Sequence, residues 1–510
     1  MNTLLKDKHM KKLYKIYVLI LPLVLTSVLA GCSFLDIDTE NMIATSEVDY
    51  SKTSEMYQPV IGAYATLRWP GMHWINNILW CGRDDDMTSG RDNDQQDALR
   101  FGYRGGYQCP NSFWGLNNAW ITLYQVIRTC NSTLDALENY AAYLTEGTAD
   151  YADYKSYRGE VITIQAWAYY MMATSFGDCV LLTDNNQTRF VRSTREHVCE
   201  YALTQLENVI PDMKRMRPNQ MTHQGAFSAF SAEALAARFA LLLGNYDKVE
   251  KLTDDIIQNG GFQLYPDYYN LFKIPGKLCD ESMMEVQVTD FGLATGDYIG
   301  IDQWYVCMGA TLSGNVGGNP VSISGWNFLQ YNRYFVDWCK ARGETIRLET
   351  SVLESGTNTR EGFLVEGSSY FNGKAYLPYD QMTEGNTDWG RNNNVRLLRY
   401  AEVLLMNAEA KVQNGKSGDD PFNQVRTRAS MPTKTGVTID DILDERRMEL
   451  CSEWGLRYTD LVRTGKAEQV LNSPNLVRDQ ASGEWTTDKA WWPVPGLQLV
   501  NLPDLAKDPE

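Results

Sequence analysis

Apolar positions recur at spacings of three and four along most of this chain, the period of a helix with one face turned inward. Val60, Ile61, Tyr64 and Leu67 open the series, and Trp69-Pro70-Gly71 ends that helix. A longer helix is expected from about Trp114 to Leu137, its face carried by Trp114, Ala119, Leu123, Val126, Ile127, Cys130 and Leu134. The next runs from about Tyr157 to Phe176 on Val161, Ile164, Trp167, Ala168 and Met171, and Gly177-Asp178 stops it. Further helices are expected over Glu196 to Met213, Ser228 to Gly244, Asp247 to Asn259, Arg396 to Gln413 and Ile439 to Glu453. Around Gly244-Asn245-Tyr246 a helix rich in small residues (Ala232, Ala234, Ala236, Ala237, Ala240) meets a short turn and a second helix. Small side chains let two helix backbones approach, so this is the layout of a tetratricopeptide-type pair. Between about Phe262 and Asn394 the long helical faces give way to Gly, Asn, Ser, Thr and aromatic residues. There Glu285 to Val288 reads as a strand and Ser313 to Gly325 as an irregular loop. Long loops inserted in a helical scaffold usually carry function.

Ahead of the first helix, Lys11, Lys12 and Lys15 precede an apolar run from Ile16 to Leu29, interrupted by Pro22, Thr26 and Ser27. The run is short for a bilayer span and reads as a signal peptide. It ends in Leu29-Ala30-Gly31-Cys32, which has the form of a bacterial lipobox. Residues 1–31 are therefore expected to be removed and the Cys32 thiol acylated, with palmitate as the expected chain. Residues 32–53, poor in aliphatic clusters, read as a tether, and 54–510 as one domain. Either Met1 or Met10 can start the chain, since the basic and apolar regions are complete from Met10. Losing the first 31 residues, which carry five lysines and one aspartate, takes the net charge from −17 to −21. So acidic a protein repels nucleic acid.

The chemistry of most enzyme classes is absent from the pattern. His73, His197 and His223 are the histidines that follow Cys32, with no HExxH pair and no cysteine cluster to complete a metal site. The nine cysteines after Cys32 have no CxxC spacing, so no disulfide framework is expected. No GxSxG elbow is present. Gly415-Lys416-Ser417 imitates part of a phosphate loop but follows a helix instead of a strand, and reads as a helix end. Asp84-Asp85-Asp86 with Asp92, Asp94 and Asp97 is a calcium candidate, yet it lacks the glycine and final glutamate of an EF-hand loop. A solvated loop is the preferred reading there, with no cofactor. Glu445, Arg446, Glu449 and Glu453 alternate in sign at helical spacing, which favours pairing within the helix, with Arg447 and Arg457 reaching neighbours.

The segment Leu398 to Ala410 (LRYAEVLLMNAEA) resembles the signature helix of SusD/RagB proteins. Asn423 to Ala429 (NQVRTRA), Glu445 to Leu450 (ERRMEL), Arg457, Asp460-Leu461, Arg463, Gly465 and Pro493-Val494-Pro495 follow in family order. Upstream, Trp120, Leu123, Tyr124, Ile127 and Asn131, then Phe176-Gly177-Asp178 with Leu181-Leu182, resemble earlier family helices and their turn. The chain departs from the family at Cys179-Val180 (usually Val-Pro), at Ser430 (usually Gly) and at Trp454, which lengthens the Glu-Gly-Arg step by one. The resemblance implies a mainly α fold, a right-handed superhelix of paired helices over about 54–260 and 395–470 with a ligand-binding insertion over about 262–394. It also implies a non-catalytic, surface-exposed outer-membrane lipoprotein that binds oligo- or polysaccharide and passes it to a TonB-dependent SusC-like barrel.

Sugar rings offer apolar C–H faces and a rim of hydroxyls, so their sites combine flat aromatic surfaces with amide, carboxylate or guanidinium groups. Two regions mix these types: Trp69, Trp74, Asn76, Asn77, Trp80, Asp84 and Arg91, and Trp304, Tyr305, Asn315, Asn319 and Trp326. Glycan contacts are expected from Trp74, Trp80, Asp84, Arg91, Trp304, Tyr305 and Trp326. A peptide- or other nutrient-binding lid of the same transporter type is the alternative, followed by a glycoside hydrolase, whose carboxylate pair no sequence pattern identifies.

Overall fold

The computed structural model describes residues 48–68, 74–89, 101–288, 303–383, 392–476 and 483–510, with Gly385 and Thr387. The body is one unit, Lys52–Glu510; of the preceding unit, Met1–Ser51, residues 48–51 are described. Trp69-Pro70-Gly71, Arg91, Asp92, Asp94 and Asp97 lie outside the described residues.

The first half of the body is a run of helices: α1 (Gln58–Thr66), α2 (Trp74–Cys81), α3 (Trp114–Ala141), α4 (Ala149–Ser175), α5 (Arg195–Val209), α6 (Ala229–Leu242) and α7 (Tyr246–Asn259). From α3 to α7 each packs on the next, the signature of stacked helix pairs. Thr148, Thr194 and Asn245 cap α4, α5 and α7, their side chains accepting a backbone N–H of the first turn. In α6 every residue from Ala229 to Leu241 is buried, so the alanine run serves close packing on several sides. The turn into α7 uses Gly244 at φ 68°, a left-handed conformation open to glycine.

The chain leaves this scaffold along β2 (Ser282–Val286) and returns along β9 (Val395–Arg399), which pair antiparallel. Between them lie α9 (Gln303–Met308), the hairpin β3 (Leu312–Val316) and β4 (Asn319–Ile323), β5 (Leu329–Tyr331), α10 (Arg333–Ala341), α11 (Ile346–Ser351), β6 (Val352–Glu354), β7 (Leu364–Val365) and β8 (Tyr370–Asn372). A short α8 (Tyr268–Leu271) precedes β2, and β1 (Met87–Ser89) joins β5, β8 and β6 in one sheet of order β1-β5-β8-β6. Ser313 to Gly325 is thus mostly a hairpin, not an irregular loop, with Gly317 and Gly318 at positive φ between its strands. Likewise Arg396 to Arg399 is strand, and the helix expected from Arg396 begins at Tyr400; a buried pairing with β2 overrides helical period there.

The C-terminal part returns to helices: α12 (Tyr400–Gln413), which packs on α7, then α13 (Asp419–Arg428), α14 (Ile439–Glu449), α15 (Leu456–Arg463), α16 (Ala467–Leu471) and α17 (Gly496–Asn501). Ser430, exposed after α13, sits at φ 57°, a conformation that strains any L side chain. Ser430→Gly is therefore expected to raise stability by about 0.5–1 kcal/mol, measured by urea unfolding.

The alternating charges of α14 pair across elements instead of within the helix. Glu445 meets Arg347 (2.6 Å), Arg426 (2.8 Å) and Arg342 (2.9 Å); Glu449 meets Arg428 (2.5 Å) and Arg399 (2.9 Å). All lie in the interior or at its edge, where an unpaired charge is costly. Arg447 and Arg457 do reach neighbours: Arg447 binds Asp85 and Asp86, and Arg457 binds Asp85 (2.8 Å). The acidic triplet Asp84-Asp85-Asp86 is consequently buried rather than solvated. Burial pushes the Asp84 carboxyl well up, whereas for Asp85 Arg447 and Arg457 outweigh burial and hold it at about 2.

Candidate functional site

Three separate elements bring aromatic rings together at one place on the body. Trp74 opens α2, whose Ile75, Ile78 and Leu79 are buried. Trp114 opens α3, and the next residue is glycine for a steric reason: a Cβ on Gly115 would lie 2.5 Å from both Ile75 Cγ1 and the Phe113 ring. That close approach sets Trp114 edge-on to Trp74, centroids 5.6 Å apart at 63°.

The third element is the segment 325–328, fastened by its backbone to the end of α9. The N–H groups of Trp326, Asn327 and Phe328 donate to the carbonyls of Val306 (2.7 Å), Gly309 (3.1 Å) and Cys307 (2.7 Å). Gly325 admits the crossing, since a Cβ there would stand 2.1 Å from the Ala310 oxygen. Phe328 is 4.9 Å from Trp74 and 5.5 Å from Trp326, so the rings run Trp114, Trp74, Phe328, Trp326 in unbroken contact. Within this row Phe328 is buried, Trp74 and Trp326 are partly exposed, and Trp114 is 49% exposed. One turn along α3, half-buried Asn118 donates to Asn76 (3.5 Å), placing amide groups beside the rings.

The other expected contacts lie elsewhere. Trp80 is in the core, its indole N–H donating to Ser175 Oγ (3.0 Å) and its ring against Trp454. Trp304 is stacked on Trp454 (5.2 Å, 20°), and Tyr305 donates its hydroxyl to the Asn394 carbonyl (2.7 Å). The cavity beside Trp304 and Tyr305 holds about 20 Å³, the room of one water and not of a sugar ring. Asp84 accepts from the N–H groups of Asp86 and Met87 (2.9 Å each) and faces inward. Asn76 and Asn77 are buried in α2, while Asn315 and Asn319 are exposed on the β3–β4 hairpin. Arg91 is outside the described residues. The structure thus unites Trp74 and Trp326, from the two regions singled out, and adds Trp114 and Phe328.

Comparison with known proteins places this architecture. Residues 344–509 match the model of the SusD family, and residues 103–241 match a model described as starch-binding associating with outer membrane. The chain is similar to the SusD family over both stretches. A SusD-like protein of Bacteroides ovatus is 23% identical over 73% of this chain and 70% of its own length. SusD-like protein P2 of Formosa agariphila is 25% identical over 97% of this chain and 99% of its own. Among solved structures, surface glycan-binding protein A from Bacteroides thetaiotaomicron in complex with laminarihexaose superposes with a TM-score of 0.71 at 21% identity, over 88% of this chain and 97% of that one. Arg399, Glu445 and Glu449, which lie in the stretches that resemble SusD motifs, belong to the buried ion-pair network.

Proposed function

We propose that this SusD-like protein captures glycan on the row Trp114, Trp74 and Trp326, without turnover, and delivers it to a TonB-dependent outer-membrane barrel. The observation that carries this reading is the convergence of those rings from three elements, with Trp114 half in solvent. Flat, partly exposed rings linked by Phe328 suit the C–H faces of pyranose rings, and the half-buried Asn118 amide suits their hydroxyls. Similarity to the family supports a binding role, as does the laminarihexaose held by a solved structure of the same fold.

The Leu29-Ala30-Gly31-Cys32 motif supports an acylated, surface-exposed anchor, and similarity to the family supports the barrel as partner. Cys32→Ser should abolish incorporation of labelled palmitate and move the protein out of the membrane fraction. Deleting the companion transporter should stop uptake of the captured glycan; unchanged uptake rules out delivery.

The decisive experiment is a glycan array on purified full-length protein, with laminarihexaose and a xylogluco-oligosaccharide among the probes, run beside a reducing-sugar assay. Binding without sugar release is expected. Trp114→Ala should weaken binding at least about tenfold, since truncating an aromatic hot spot costs about 1.4 kcal/mol or more. Peptide binding in place of glycan, or release of reducing ends, would replace this reading.

A further inference from the structure

A second cleft, of about 400 Å³, opens between α10–α11 and the loop after β6. Its floor is a pair of tyrosines with little freedom. The hydroxyls of Tyr269 and Tyr376 donate to the two carboxylate oxygens of Glu361, one to each. Lys273, fully buried, places its ammonium 4.8 and 4.7 Å from the two ring centroids and donates to the carbonyls of Gly373 (2.9 Å) and Tyr376 (2.6 Å). The rings are therefore held at both their polar tips and their faces.

Over Tyr269 lies Arg360, its guanidinium carbon 4.0 Å from the ring centroid and its side chain 53% exposed. A guanidinium over an aromatic ring still carries N–H donors at its edge, and here Nη1 lies 3.8 Å from Asp267 Oδ2. Glu349, Glu354, Asn358 and Lys340 complete the rim, and all are exposed. The rim cations are each paired, Lys340 with Glu354 (3.7 Å) and Arg360 with Asp267 (3.8 Å), so an anion finds no free positive charge there. What gains is a neutral molecule with both donors and acceptors: its hydroxyls can donate to carboxylate and accept from guanidinium at the same time. The volume is at the small end of the roughly 300–1,000 Å³ typical of ligand sites, which suits a ligand of one or two rings. A groove of about 320 Å³ lined by Trp120, Ile121, Tyr124, Leu182 and Phe190 differs in this respect, being largely apolar.

We propose that the cleft beneath Arg360 is a second sugar site, taking one or two neutral sugar units through Arg360, Asn358 and Glu349. The proposal rests on the reading of this protein as a glycan binder. A polysaccharide long enough to reach from the tryptophan row to the cleft gains a second, weak contact, which raises its residence on the protein.

The test uses full-length protein in detergent, with saturation-transfer NMR and calorimetry against maltose, cellobiose, laminaribiose and mannobiose. At least one disaccharide should bind; Arg360→Ala/Asn358→Ala should weaken it at least tenfold, and Trp114→Ala/Trp326→Ala should leave it unchanged. Glu349→Gln, an exposed and conservative change, gives an independent second variant with the same expected loss. Absence of disaccharide binding in the unaltered protein overturns the proposal, as does binding that survives all cleft variants. If oligosaccharide binding persists in Trp114→Ala/Trp326→Ala and disappears in the cleft variants, the tryptophan reading fails and the cleft stands.

Discussion

Arg399→Met is expected to destabilise the protein by about 3–5 kcal/mol, the usual consequence of removing one partner from a buried ion pair. Arg399 is 1% exposed and contacts Glu281 (2.6 Å), Glu449 (2.9 Å) and Glu453 (2.8 Å). Methionine fills a similar volume and leaves those carboxylates with fewer counter-charges: Arg428 for Glu281, Arg428 and Arg347 for Glu449, Lys374 for Glu453. Urea unfolding should show the loss as a lower midpoint, and Arg399→Lys should recover only part, since one ammonium cannot reproduce a fork aimed at three partners. Arg333→Ala is the contrasting case. Its pair with Asp337 spans 3.4 Å with both side chains 60% exposed or more, and its removal should shift stability by less than about 1 kcal/mol. An unchanged midpoint in Arg399→Met would mean the network contributes specificity alone. The same network predicts an acid limb. For Glu449, Arg428, Arg399 and Arg347 outweigh burial and lower the carboxyl from 4.5 to about 2, so its contribution is complete above about pH 4.5 and is lost as pH falls toward 2.

That network also shows why some of this protein was legible from sequence and some was not. Helical period located α3 to α7 because their buried positions repeat along one local axis, and Gly244 and Asn245 carry turn and cap chemistry in their own side chains. Nothing local distinguishes Arg396 to Arg399 from a helix start; pairing with β2, more than a hundred residues upstream, makes it a strand. Charge alternation in α14 likewise could not reveal that the partners of Glu445 and Glu449 come from distant segments. For the site, residue type proved weaker than phase. Trp80 and Trp304 have the chemistry of a sugar platform, but Trp454, which occupies a left-handed φ of 52°, packs against both and draws them inward. Helical period alone places Trp114 on the buried face of its helix. Yet the buried positions of α3 run Leu116, Ala119, Trp120, Leu123, Val126, Ile127 and Cys130, and Trp114 falls off that stripe together with Ile121, which is 46% exposed. An aromatic out of phase with its own helix was the available signal.

Glu160→Gln is expected to stabilise the protein in alkaline solution, because Glu160 is an acid that the fold keeps protonated. It is 1% exposed on α4, and burial raises its carboxyl from 4.5 to about 8, against the opposing effect of the hydroxyls of Tyr64 and Tyr57, which both donate to Oε2 at 3.0 Å. Lys214 pulls the value down and Asp153 pushes it up, while His223 stacks on Tyr57 at 3.6 Å without displacing that hydrogen bond. Between about pH 4.5 and 8 the unfolded chain has released this proton and the folded one has not. The folded state binds more protons, so stability falls as pH rises through that window, by up to about 5 kcal/mol in all. Glutamine accepts the same two tyrosine hydroxyls and carries no proton to lose. At pH 4.5 the two proteins should unfold at similar urea concentrations, and by pH 8 the variant should be ahead by several kcal/mol. Parallel curves across that range would show that Glu160 ionises freely in the folded state. The location gives the effect a mechanical meaning. Tyr57 and Tyr64 belong to α1 and its N-cap, and Tyr64 also accepts the N–H of Phe227 (2.6 Å), so the Glu160 cluster fastens the first helix of the body to its core. Amide exchange in α1 should therefore quicken with pH beyond the intrinsic rate in the native chain and do so less in Glu160→Gln.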